Sequence, residues 1–245
     1  MKPICRQLSF SCLLLLTVFG LTAARAADNT YEFNVNPIAP IAGDWSAFGN
    51  FGYYEQPNNY SRYRFGWPGV IYRANDWLQL SGGLDSYYTD HYQSADTLEL
   101  RPFAGVRLFV PHLEHVSLYN FTRFEYRDFE NLDTHTWSGY ARIRSRFGLQ
   151  IPLATTLEAW QPNTFYAFTD FEPFYRFDRE QWTPVRVRGG LGYVVSDSIR
   201  VELIYTAEFT RSSTNSSLDY TDNIIQLNIR IGLAKGLLGR LLNPD

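Results

Sequence analysis

The sequence has only two cysteines, Cys5 and Cys12, and both fall within its first 26 residues. That stretch reads as a secretory signal. Lys2 and Arg6 lead it, Leu8 to Thr22 is apolar, and Ala24-Arg25-Ala26 supplies the small-x-small pattern of a signal-peptidase site. The apolar run is shorter than the ~20 residues of a spanning helix, and Cys12 lies inside it rather than after it. Neither a retained anchor nor a lipoprotein is therefore expected. Cleavage before Ala27 leaves a chain with no cysteine, which excludes a disulfide framework for an exported protein.

Other absences narrow the reading further. No later run is long and apolar enough for a transmembrane helix, so any membrane span has to be built from strands, because lipid leaves no other way to satisfy the backbone. Loss of Lys2, Arg6 and Arg25 with the signal leaves 19 basic against 25 acidic residues, which argues against a nucleic-acid partner. Lysine is almost missing: 18 of those 19 basic residues are arginine and only Lys235 is lysine. A solvated surface normally carries lysine, whereas a planar fork suits crowded pairing with carboxylates.

What is present is alternation with a period of two. In Trp137 to Gln150 one face is Trp137, Gly139, Ala141, Ile143, Ser145, Phe147 and Leu149, and the other carries Arg142, Arg144 and Arg146 in a row. Successive strand residues point to opposite faces, so one side is apolar and the other charged. The pattern recurs along the chain and predicts ten strands: 46–55, 61–73, 77–88, 97–110, 116–129, 136–150, 164–177, 184–195, 199–210 and 223–233. Short and longer links alternate between them, apart from the long link 151–163, as periplasmic turns and outer loops do. The expected fold is an all-β, antiparallel, up-and-down transmembrane barrel of about ten strands, with twelve as the alternative. Its organisation is a signal peptide at 1–26, an N-terminal periplasmic arm or plug at 27–45, the barrel at 46–233 and a periplasmic tail at 234–245. The 27–45 segment also alternates weakly at Tyr31, Phe33 and Val35, so an extra strand stays open. An even count would return both chain ends to the periplasm.

Periodicity alone does not say which face is inside. A soluble periplasmic barrel would turn its apolar face inward. Arginine in place of lysine, strands longer than the five or six residues usual in soluble sheets, and aromatics near strand ends (Tyr72, Tyr88, Tyr126, Trp137, Tyr175, Phe209) favour a membrane barrel.

Several stretches between Leu118 and Thr210 resemble a family. They are Phe124-Glu125-Tyr126-Arg127, Ala141 to Phe147 with Ile151-Pro152-Leu153, Thr164-Phe165-Tyr166-Ala167, Phe177-Asp178-Arg179, and Gly190-Leu191-Gly192-Tyr193 leading to Ile199 to Leu203. The family is one of uncharacterised proteobacterial proteins, a domain of unknown function assigned to the outer membrane as β-barrels. The resemblance implies location and fold and brings no catalytic residues. This chain departs from the pattern by ending in Ala234 to Asp245, without a terminal aromatic.

Chemistry is sparse. The four histidines, His91, His112, His115 and His135, all fall in or beside links. His112-Leu113-Glu114-His115 lacks the helical presentation that makes paired histidines a zinc site. His135 near Ser138, or His91 near Ser94, raises a lipid-modifying enzyme, with no third triad member to support it. Gly189 to Gly192 lies inside a strand, not before a helix, so it is no phosphate loop.

The informative constellation is the charged face. It holds Arg62, Arg64, Arg101, Arg107, Arg123, Arg127, Arg142, Arg144, Arg146, Arg176, Arg186, Arg188, Arg200 and Arg230, with Asp85, Glu99, Glu125, Asp170, Glu172, Glu202 and Glu208. About eight strands already make a barrel that side chains fill, so ten imply a plugged, ion-paired lumen. The expectation is an outer-membrane barrel of a Gram-negative bacterium, structural or a narrow conduit, contacting lipid, with no enzymatic role, cofactor or metal. A pore for small anionic solutes is the first alternative, since charged linings set selectivity.

Overall fold

A computed structural model describes residues 28–110, 116–153, 161–211 and 218–234. The signal segment, His112 to His115, and the tail beyond Ala234 lie outside them. The described chain forms eleven strands: β1 (Asp28–Ala42), β2 (Trp45–Gln56), β3 (Tyr60–Arg73), β4 (Leu78–His91), β5 (Thr97–Val110), β6 (Ser117–Asn131), β7 (Thr136–Pro152), β8 (Thr164–Arg176), β9 (Gln181–Ser196), β10 (Ile199–Arg211) and β11 (Leu218–Gly232). Each pairs with the next in antiparallel fashion, and β1 closes the barrel by pairing with β11 in parallel.

Strands β2 to β11 are the ten read from the alternation. The eleventh corrects the reading of 27–45 as an arm or plug: of the options that segment left open, the extra strand is the one built. Its outward Tyr31 and Phe33 are exposed, and its inward Thr30 and Asn34 are buried. Pro37 and Pro40 are accommodated because pairing with β2 lapses at Asn36–Pro37 and shifts register after Pro40, where proline withholds its N–H. Among the described residues the count is odd, against the expectation that the barrel begins and ends on one side. The start of β1 and the end of β11 lie at opposite rims.

The apolar face is the outer one. Leu203 is 59% exposed and Phe147 54%, and Phe65, Val106, Phe124, Phe171, Leu191 and Leu227 are exposed with them. With the rim at which β1 begins taken as upper, aromatics gather near both rims. Tyr53, Tyr63 and Tyr88 form an upper row with ring centroids 5.2 and 6.4 Å apart, and Tyr175 meets Trp182 at 5.1 Å. Lower pairs are Trp45 with Tyr72 at 4.7 Å and Phe165 with Tyr193 at 4.6 Å. Such girdles flanking an apolar band follow when a barrel has an apolar surround between two wet layers.

Candidate functional site

Because side chains alternate, every second residue of each strand enters the interior, and the charged face sits there as a body. Arg101, Arg123, Glu125, Arg142, Asp170, Glu172, Arg200 and Glu202 are buried. Arg107, Arg127, Arg144, Arg146, Arg186 and Arg188 line an interior cavity of about 450 Å³. A buried charge is stable only when paired and hydrogen-bonded, so the geometry of pairing decides what this interior is.

The carboxylates act as hubs. Glu125 on β6 is 0% exposed. Arg142 Nε and Nη2 reach its Oε2 at 2.7 and 2.6 Å. Arg123 Nε and Arg144 Nε approach its Oε1 at 2.7 and 2.9 Å. Those last two contacts lie off the hydrogen-bond axis, so they hold by charge. Asp85 on β4 accepts from Arg64 at 2.9 Å and from Arg123 at 2.7 Å. Gly66 makes that approach possible, since a Cβ there would stand 2.2 Å from Asp85 Oδ1. Glu172 Oε1 on β8 accepts from Arg144 at 3.2 Å and Arg146 at 2.9 Å. Asp170 takes the fork of Arg188 at 2.7 and 2.8 Å, with Arg146 at 3.9 Å. Read in order, Arg64, Asp85, Arg123, Glu125, Arg144, Glu172, Arg146, Asp170 and Arg188 form one alternating ladder across β3 to β9.

Three smaller groups complete it. Glu99 is held by the fork of Arg127 at 2.6 and 2.8 Å and by Arg101 at 2.7 Å. Glu202 accepts from Tyr166 O–H at 2.7 Å, Asn228 at 2.5 Å and Arg230 at 3.0 Å, and Arg200 is buried within its field. Arg186 pairs with Glu208 at 2.5 Å. Two acids in this interior escaped the sequence reading. Glu32 on β1 and Asp222 on β11 both line the cavity. An arm at 27–45 and a last strand starting at 223 leave both out, whereas β1 and β11 carry them inward. Even so, the fourteen arginines of the charged face meet nine such acids.

Toward the lower rim the interior turns apolar in two sectors. Ile38 packs with Phe48, Ile71 and Ala234, and Tyr166, Phe168, Val194 and Ile204 form the other cluster.

The residues weighed for catalysis sit elsewhere. His91 faces Thr97 Oγ1 at 3.4 Å, and His135, at the upper rim, faces Glu130 at 3.2 Å. Their ring partners are thus Thr97 and Glu130, not Ser94 and Ser138. Among the described residues no three His, Cys, Asp or Glu side chains gather as a metal site.

The model of a family described as "Protein of unknown function (DUF2490)" matches residues 31–219. That span runs from within β1 into β11, so it takes in the strand that closes the barrel. Comparison with curated proteins and with solved structures finds no match.

Proposed function

The chain belongs to the DUF2490 family of unknown function, and from that premise we propose that it is an outer-membrane barrel whose role is structural, with an interior closed by its own ion pairs. The observation that carries this is the inversion of polarity. Large apolar side chains cover the outside, while Asp85, Glu125 and Glu172 are buried inside among arginines. A soluble monomer rarely exposes an apolar patch beyond a few hundred Å². A lipid surround removes that penalty, and the closed ladder leaves no strand edge in hydrocarbon. Eleven strands make a narrow barrel whose own side chains crowd the interior around a cavity of about 450 Å³, since open channels need many more strands. No enzymatic role is part of this reading.

Cell fractionation tests the location. The mature protein is expected with outer membranes, and its unheated form is expected to migrate faster on gels. Recovery as a soluble periplasmic species would overturn the reading. Planar-bilayer recording tests closure, and steady open conductance would replace the structural role with an anion-favouring pore.

A further inference from the structure

Near the lower rim one interior cation, Arg107, has no carboxylate within ion-pair distance among the described residues. Its guanidinium lies 4.8 Å from the Phe121 ring centroid, and its Nε is buried without a hydrogen-bond partner. It faces the cavity near the lower rim, and the strands bring other donors to the same place. Arg146, one register step away across Phe121, and Arg230, from the opposite wall, both repel it, and Glu202, already bonded to Arg230, is the carboxylate within its field. Tyr119 stands within the field of Arg107, Arg146 and Arg188. Its hydroxyl donates only a long bond, 3.4 Å, to Asp170 Oδ2.

The acids near this corner are already engaged. Glu172 serves Arg144 and Arg146, Asp170 serves Arg188, and Glu202 serves Arg230 and Tyr166. Asp170 and Glu202 share the lining of a space of about 450 Å³ with Arg107, Arg146, Arg188 and Arg230. That volume is within the range of small-molecule sites. An unpaired guanidinium in such a place is costly unless an anion joins it, and its planar fork matches the oxygens of a carboxylate or a phosphate.

We propose that the interior cavity binds a small solute bearing a carboxylate or phosphate group, anchored by Arg107 and assisted by Arg230 and the Tyr119 hydroxyl. The site follows from the interior geometry and not from the cellular location, so it stands or falls separately from the outer-membrane placement proposed above. The upper part of the interior is polar, with the buried Thr30, Ser61 and Thr89 on its wall.

The test uses the full-length mature protein folded in detergent micelles, with sodium phosphate and sodium succinate as probes and sodium chloride at matched ionic strength as reference. Isothermal titration is expected to give saturable binding of phosphate or succinate, and a rise in the thermal midpoint that chloride does not reproduce. Phosphate alone would assign a phosphate site and succinate alone a carboxylate site. Arg107→Gln should weaken that binding at least tenfold and abolish the midpoint rise. The variant removes a lone charge, so it should fold and, in anion-free buffer, melt no lower than the wild type. Arg230→Gln gives a second reading and should weaken binding more modestly. No saturable binding of either probe, an equal effect of chloride, or unchanged affinity in Arg107→Gln would each overturn the proposal.

Discussion

Neutralising Glu125 is the most direct probe of an interior held by shared carboxylates. Glu125→Gln keeps the shape of the side chain and removes one negative charge. Three arginines touch that carboxylate, but they do not lose equally. Arg123 keeps Asp85 at 2.7 Å, and Arg144 keeps Glu172 at 3.2 Å. Arg142 has its only ion pair among the described residues with Glu125, at 2.6 Å, and is itself buried. The change therefore strands one buried guanidinium, which costs about 3–5 kcal/mol. For a chain of this size each kcal/mol moves the melting point by about 2–4 °C, so a fall of roughly 6–20 °C is expected. Loss of heat-modifiable gel mobility against temperature reads it in micelles, and urea titration reads the free energy. The double variant Glu125→Gln, Arg142→Met removes the stranded charge as well and should recover most of the loss. That is the coupling expected of two residues in direct contact. If the single variant falls by less than about 1 kcal/mol, or the double variant is no better, water and not Glu125 compensates Arg142, and the ion-paired interior is wrong.

Two further perturbations address the outer wall and the upper loops. Phe171 is exposed at the middle of β8, so Phe171→Arg should destabilise the barrel by about 2–4 kcal/mol in lipid vesicles. An effect near zero by urea titration would mean that this face meets water. Asp96, in the link between β4 and β5, accepts from the Tyr88 O–H at 2.6 Å and the His91 backbone N–H at 3.1 Å; these donors, Tyr88 foremost, hold its carboxyl below the usual range. A lowered folded value means its stabilisation is complete above the unfolded value of about 3.9 and is lost as pH falls further. The urea-midpoint difference between wild type and Asp96→Asn should be small but full near pH 6 and fade below about pH 4. A difference that stays constant over that range would refute the assignment.

The alternation made most of the wall legible in the sequence. Arg142, Arg144 and Arg146 face inward because Ile143, Ser145 and Phe147 face outward, and that relation needs only the pleat. β1 was harder to read for two physical reasons. Its inward positions, Glu32, Asn34 and Asn36, are opposed by a short apolar set broken at Pro37 and Pro40. Its second neighbour, β11, is almost two hundred residues away and runs parallel, so no turn announces the pairing. The pairing of charges was not legible either. Arg123 reaches Asp85 two strands away, and Arg107 feels Arg230 from the far wall. Strand order and barrel closure decide those meetings, and neither is local.

The preference for arginine over lysine has a reason that only the interior geometry supplies. A chamber with more cations than carboxylates needs a second way to stabilise positive charge. Aromatic faces provide one, because a guanidinium is attracted to the ring quadrupole and can still donate in its own plane. Arg123 lies 3.5 Å from the Phe103 centroid, Arg101 4.2 Å from Tyr87, and Arg176 3.7 Å from Tyr140. Each of these arginines also holds a carboxylate, at 2.7 Å in every case. An ammonium could not stack flat and fork at once. Arg107 has the ring, Phe121, but no ion-paired carboxylate among the described residues. By the logic that satisfies its neighbours, the half it lacks is an anion, and that is why Arg107 is the position where a solute has most to add.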